Sequence, residues 1–444
     1  MIEQVRSDPV TDAVVLHALG GPPGSPLGTA LSATGSDPFM RLRPIVGSFD
    51  RIVHSISGPS RLLHEAASGI PDGPAHAEAL AVRLLRRGER LTWGEEIICD
   101  SARDASQLFH AHGCSSVEMA RADPSLITEL RLGGWFDASW RPRLLRRTLL
   151  SAVPEQAAAS MLRGERGLAV ALDLAFWRGV RSAATPVEWE RIARSSYSVL
   201  VYHRLAGQGK RGQERIDLAP ERFRQQLDVL RRFGFRTLGL PDVIRFHSEA
   251  QMSMPRRSVA LTVDDGAADC LVPLRRHAGA DVQLFVPTRE VGGAAHWLSG
   301  EPLLTWAELR LLADEGITIG SHARHHRRLT EWRADALAAE LTGARADLRE
   351  RLETSSELLA YPYGDHDLAV RGAARAAGYL GAYTTRTGRN GAGTDSFCIR
   401  RVSVHADDGR LAVLWKCLTG EQLPVGWLRL RAMSRRVRDA RGRL

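Results

Sequence analysis

The pattern of apolar and polar positions changes character near residue 196. Before it, 75–90 (AHAEALAVRLLRRGER) carries apolar residues at helical spacing and ends at Gly88, which predicts an amphipathic helix. LTWGEEIICD (91–100) reads as a short strand, and 140–180 holds further helical material. Residues 1–60 are rich in Gly, Pro and Ser with few periodic segments, and SAATP (182–186) has the composition of a linker. After it, SYSVLVYH (196–203) is a β-branched and aromatic run that predicts a strand. Residues 219–234 predict a helix with Phe223, Leu227, Leu230 and Phe233 on its apolar side and Gly234 closing it. SVALTVDD (258–265), DVQLFVP (281–287) and ITIGSH (317–322) follow as strands, with a helix over TWAELRLLADEG (305–316) between the last two. A long helix over Ala334–Leu352 precedes a further strand in ELLAYPYG (357–364).

Strands alternating with helices of this length predict parallel βα units, closed as a barrel or open as a doubly wound sheet. In both, chemistry gathers at the carboxyl ends of the strands. Two carboxylates, Asp264 and Asp265, stand at such an end before Gly266. One of a pair like this can ligate a metal while its neighbour stays free as a base, although Asp-Asp-Gly is also plain turn chemistry. His322 and His326 follow the next strand but one, four residues apart, a spacing that puts both imidazoles on one side of a helical turn. His325 points elsewhere in that geometry. Read alone, the segment with Arg324, Arg327 and Arg328 is a solvated basic loop. Joined to a carboxylate, the two histidines make a three-ligand site with open positions. The turn Ala360-Tyr361-Pro362-Tyr363-Gly364 presents backbone N–H groups and an aromatic wall after its own strand.

In order and spacing, TVDDG, HARHH, AYPYG and VSVH (402–405) resemble the motifs of the polysaccharide deacetylase family, the NodB-like carbohydrate esterases of family 4, over about residues 196–418. LVYHRLAG (200–207), DVQLFVPT and LLTWAELRLLADEGITIGSH are similar to the runs that flank them. The resemblance implies a distorted (β/α) barrel and a hydrolase that removes N-acetyl groups from N-acetylhexosamine units of a polysaccharide or oligosaccharide. It implies Asp265, His322 and His326 as ligands of a divalent metal, with zinc the expected ion, and Asp264 as general base. It further implies the Tyr363 backbone N–H as an oxyanion donor and His405 as general acid, with His203 and His366 the next candidates for that proton. Two departures stand out. Ala360 occupies the place where many members carry an arginine that orients the base. The Asp–Trp motif that tunes the catalytic histidine has no counterpart between Tyr379 and Cys398. Alternative readings are a deacylase of a small or lipid-linked glycan, or a non-catalytic glycan-binding protein on the same fold.

The first half resembles something else. Residues 30–51 and 76–93 are similar to the carboxyl-terminal part of a family 2 glycosyltransferase, with Glu78 at the first acid of its helix motif and Ala79 in place of the second. The nucleotide-binding strand and D-x-D of that family are missing, so the resemblance implies a remnant without a donor site. An unrelated α/β or mostly helical accessory domain is the alternative. The expected organisation is therefore an accessory domain at 1–185, a catalytic domain at 196–420 and a basic amphipathic tail at 421–444.

Composition adds little to this. Hydrophobic residues make up 44% and charged residues 25%, ordinary for a globular chain. Five scattered cysteines without a CxxC pair indicate neither a disulfide framework nor a zinc knuckle. The net charge of +9 is spread along the chain without an aromatic-and-basic ladder, so no nucleic-acid partner is expected. The tail WLRLRAMSRRVRDARGRL could touch an anionic membrane surface. No secretory leader or membrane span is read, and a cytoplasmic location is expected.

Overall fold

Seven consecutive buried residues, Ser196–Tyr202, cannot form a strand with one wet face, so a sheet covered on both sides is required. The computed structural model supplies one. It describes residues 102–128, 132–137, 140–152, 164–206, 216–249, 252–354 and 356–423, with residue 130 and shorter pieces between 5 and 98. The stretch 30–51 and the tail 424–444 lie outside the described residues. The chain divides into two compact units. One comprises Met1–Ser195, Glu249–Ser253 and Gly391–Thr394, and the other holds the remainder.

The first unit contains strands β1 (Val5–Ser7), β2 (Val14–Gly20), β3 (Val53–Gly58), β4 (Leu91–Trp93) and β5 (Ile97–Ile98). Their order is β1-β3-β2-β4, with β5 also on β2, and β2–β3 is the antiparallel pair. The strands before residue 60 fall where no periodic signal was read, and the strand expected over 91–100 is two short pieces. Of the helix expected over 75–90, Ala75 is a turn residue, His76, Ala79, Leu80 and Arg83 are helical, and the rest is not described. Helices Ala102–Ala122 and Gly164–Ala183 bury Phe109, Val117, Trp177 and Val180 in a common core. SAATP is not a linker. Ser182 and Ala183 end one helix, and Thr185 caps the next, Pro186–Ala193, in a capping box with Glu188.

The second unit is built on a sheet whose strands are β6 (Ser196–Tyr202), β7 (Arg236–Thr237), β8 (Ser258–Val263), β9 (Val282–Val286), the small hairpin β10 (Ala294–Ala295) and β11 (Glu301–Pro302) apart from it, β12 (Thr318–Ser321), β13 (Leu358–Ala360), β14 (Gly381–Tyr383), β15 (Asn390–Gly391) and β16 (Val402–Ser403). The order runs β14-β13-β12-β9-β8-β6, with β16 on β6 and β7 on β8, and these pairs are parallel. One segment reaches both edges of the sheet: Ile399 bridges to Tyr383, and three residues on Val402 pairs with Leu200. The sheet thereby curls into the distorted barrel that the resemblance implies.

The outer wall is helical. Leu227 and Leu230 from Pro220–Arg232, Leu309 and Leu312 from Trp306–Asp314, and Leu348 from Ala334–Leu352 pack on Leu261, Val282 and Leu284. Sequence chemistry sets these helix ends. Thr305 and Glu308 form a capping box at one, and Gly234 with φ +70° ends another. No helix among the described residues is long and apolar enough to cross a membrane.

Gly320 in β12 lets the backbone that delivers His322 lie against Phe285: a Cβ there would stand 2.5 Å from the ring. Gly320→Ala is expected to cost about 1–3 kcal/mol through overpacking. Urea unfolding of the variant beside the wild-type protein checks this, and an unchanged midpoint contradicts it.

Candidate metal centre

The parallel strands open their carboxyl ends on one side, and several of them deliver polar residues there. Asp264 and Asp265 follow β8, His322 follows β12, Tyr361 follows β13, and Val404-His405 follow β16. Two successive left-handed residues, Asp265 at φ +73° and Gly266 at φ +71°, turn the chain so sharply that the two carboxylates take separate directions. Asp265 faces the histidines, with Oδ1 3.6 Å from His322 Nε2 and 3.2 Å from His326 Nε2. Asp264 faces the barrel wall.

His322 and His326 do not sit on a helical turn, which corrects the geometry read from their spacing. Ala323 has φ +64°, and residues 322–328 are irregular. The loop is shaped by its neighbours: His322 N–H donates to the Val286 carbonyl, and the buried Glu340 carboxylate accepts from Arg324 N–H at 2.9 Å. The same carboxylate engages His325 Nδ1 at 2.9 Å, so His325 ties the loop down instead of pointing at the site. His322 Nδ1 lies 2.6 Å from the Ala360 carbonyl, which fixes the ring and leaves Nε2 for a cation. His326 is clasped between the Trp297 ring, stacked at 4.2 Å, and the Tyr363 ring at 4.5 Å.

Among the described residues, Asp265, His322 and His326 are the group able to hold a metal ion, with ligand atoms all within 4.8 Å of one another. All three are buried. A carboxylate with two imidazoles, one anchored through its far nitrogen, suits a divalent cation with open positions. Residues 251–382 match the family model described as polysaccharide deacetylase. The chain carries a polysaccharide deacetylase domain. Among solved structures, the Streptococcus pyogenes deacetylase PplD in complex with acetate is 21% identical over 51% of this chain and 98% of its own, with a TM-score of 0.45. IcaB from Ammonifex degensii is 23% identical over 50% of this chain and 97% of its own, with a TM-score of 0.44. A search of curated proteins finds no match.

The residue that sequence reasoning missed is Arg401, which lies beyond the matched residues 251–382. Its guanidinium grips Asp264 with two bonds of 2.7 Å, Nη1 to Oδ1 and Nη2 to Oδ2, and its Nε donates to the Thr384 carbonyl at 3.0 Å. The Asp264 carboxylate thus receives its guanidinium from the segment that closes the barrel, not from position 360. The available signal was a charged residue, Arg401, immediately before the apolar alternation of Val402 and Val404, but Arg400 beside it was an equal candidate.

The electrostatics follow from burial and partners. Burial alone would raise the Asp264 carboxyl, but the Arg401 guanidinium and the nearby His322 outweigh it and hold the group below its ordinary value. Burial opposes Asp265 likewise, and its bonds to His322 and His326 carry it well below the usual carboxylate range. For His322, burial is overcome by Asp265, Asp264 and the Ala360 carbonyl, so its affinity for a proton rises. For His326 burial prevails, and its value falls. His203, next after β6, is near enough for its charge to act on both carboxylates. His366 stacks on Tyr361 at 4.9 Å with Nδ1 2.9 Å from the Gly364 carbonyl, a role in holding the turn. Tyr363 adopts φ +60° at that turn, with its ring half-exposed beside His326 and the Arg328 guanidinium above it. His405 stands at the same sheet end, and its backbone N–H donates to Asp408 at 2.7 Å.

Removing one partner of a buried pair leaves an uncompensated charge. Arg401→Met is expected to destabilise the domain by about 3–5 kcal/mol, and Arg401→Met/Asp264→Asn to recover much of that. Denaturant unfolding of the two variants measures it, and equal stability of both variants contradicts it.

Proposed function

We propose that residues 196–420 form the catalytic domain of a metal-dependent hydrolase that removes N-acetyl groups from N-acetylhexosamine units of a glycan, with 1–185 as an accessory domain. Asp265, His322 and His326 hold the cation, for which Zn²⁺ is the expected species. When bound, such an ion supplies Lewis-acid polarisation of the amide carbonyl and lowers the pKa of a coordinated water.

The observation that supports this reading best is the division of labour between adjacent carboxylates. Asp265 is directed at two imidazoles, while Asp264, one residue away, is directed at a guanidinium and kept ionised. A carboxylate that is charged, buried and not committed to the imidazoles is available to act as a general base. In this reading Asp264 takes the proton of the attacking water, and Arg401 fixes the orientation of the carboxylate. The backbone N–H of Tyr363, displayed by its left-handed turn, donates to the oxygen that gains charge. His405 delivers a proton to the nitrogen as the C–N bond breaks, so amide and water become acetate and free amine. Trp297 and Tyr363, on either side of His326, give the sugar apolar ring faces to lie against.

Acetate release from a panel of N-acetylated glycans, with and without a chelator, tests the reading: release that the chelator abolishes is expected. His322→Ala and His326→Ala are expected to lose metal by elemental analysis together with activity, and stoichiometric metal in the double variant contradicts the ligand assignment. Asp264→Asn is expected to keep its metal and lose turnover by about 10²–10⁴-fold. Loss of metal in Asp264→Asn shows it to be a ligand instead.

A further inference from the structure

The loop that carries His405 is fastened by a buried charge that the reaction itself does not call for. Lys416 lies on the inner face of helix Arg410–Thr419, a face otherwise supplied by Ala412, Val413 and Cys417, and its side chain is fully buried. Its ammonium bonds to the Asp408 carboxylate and, at 2.7 Å, to the Ser403 carbonyl two residues before His405. The Asp408 Oδ2 that meets Lys416 also accepts the His405 backbone N–H at 2.7 Å, while Asp408 N–H donates to the His405 carbonyl at 2.9 Å. A single ammonium thus grips the chain on both sides of His405.

Other ties converge on the same four-residue turn. Gln226 Nε2 donates to the Asp408 carbonyl at 2.8 Å, and Gln226 is itself held by the Tyr202 hydroxyl at 3.1 Å. Arg222 donates to the Ala406 carbonyl, and Gln422 Nε2 to Ser403 at 2.9 Å. Val404 N–H completes the strand by donating to Val201 at 2.9 Å. Burying a lysine and an aspartate together adds little stability over an apolar pair of similar size. What such a pair does supply is one fixed geometry, because each charge is satisfied in a single arrangement. This matters here because the Asp–Trp motif that tunes the catalytic histidine in the family has no counterpart in this chain.

We propose that Lys416 and Asp408 are positioning residues that aim His405 at the departing nitrogen, acting through the backbone on both sides of the histidine. The inference rests on the acid role of His405 proposed above. Proton transfer is sensitive to placement, and a shift of about 1 Å can cost about 10²-fold.

The test is a cycle of variants in the metal-loaded full chain. Lys416→Met is expected to lower kcat by about 10–100-fold while metal content and KM stay within about twofold of wild type. In a His405→Ala background the same substitution is expected to change kcat by less than about twofold, because its route to the chemistry is already gone. A folded Lys416→Met protein with wild-type kcat overturns the inference, as does an equal loss in both backgrounds. If Lys416→Met does not fold, Gln226→Met loosens the same turn without stranding a charge and is judged by the same two criteria. A His405→Ala protein with unchanged kcat overturns the acid role itself, and the positioning role falls with it.

Discussion

The ion pair between Arg401 and Asp264 is the constraint on which the second unit turns. Both side chains are buried, and neither charge has water to fall back on. The desolvation penalty for such a pair is several kcal/mol per ion, so it persists only where geometry is close to ideal. Two bonds of 2.7 Å meet that demand. The pair also has a topological consequence. Asp264 ends β8 in the middle of the sheet, whereas Arg401 lies between Ile399, which bridges to the β14 edge, and Val402, which joins the β6 edge. The charge that keeps the carboxylate ionised is therefore supplied by the segment that closes the barrel.

Around that pair the backbone departs from regular geometry at the points where it must redirect a side chain. Asp265, Ala323 and Tyr363 all take positive φ, and they stand just beyond β8, β12 and β13. Such conformations cost of order 1–3 kcal/mol each for residues with a Cβ. The surroundings hold them in place: Glu340 clamps the loop after Ala323, and His366 and the Gly364 carbonyl close the turn at Tyr363. A helical turn between the two histidines would have avoided the strain. The irregular loop instead lets His322 lean on the Ala360 carbonyl while His326 lies between two aromatic rings.

These details separate what the sequence discloses from what it does not. The helix over Ala334–Leu352 and the strand ends after Val263 and Ser321 were legible, because apolar periodicity and capping chemistry are local. The shape of the loop between His322 and His326 was not, because it is set by the Glu340 side chain reaching back from the following helix. Position 360 shows the same limit more sharply. As a side chain Ala360 is silent, which on a motif reading means a lost arginine. Its carbonyl, which no sequence pattern can report, orients His322. Before residue 60 strands form where few periodic segments stand, and SAATP reads as a linker because a helix end and a helix cap share the small, polar residues of a loop.

The relocation of the arginine has a physical cost and a physical return. An arginine at position 360 would stand on β13, on the strand whose carbonyl anchors His322, so base and ligand would be oriented from one element. Here the two tasks belong to different ones. β13 holds His322 through its backbone, and the closing segment holds Asp264 through a side chain. Four residues beyond Arg401 that segment delivers His405, so the base and the proposed acid take their positions from one short stretch of chain. The two ends of the proposed proton path share the segment 399–405, through Arg401 and His405. In the proposed reading the closing segment thus orients both proton-transfer groups, while Asp264 also shares the end of β8 with the proposed ligand Asp265.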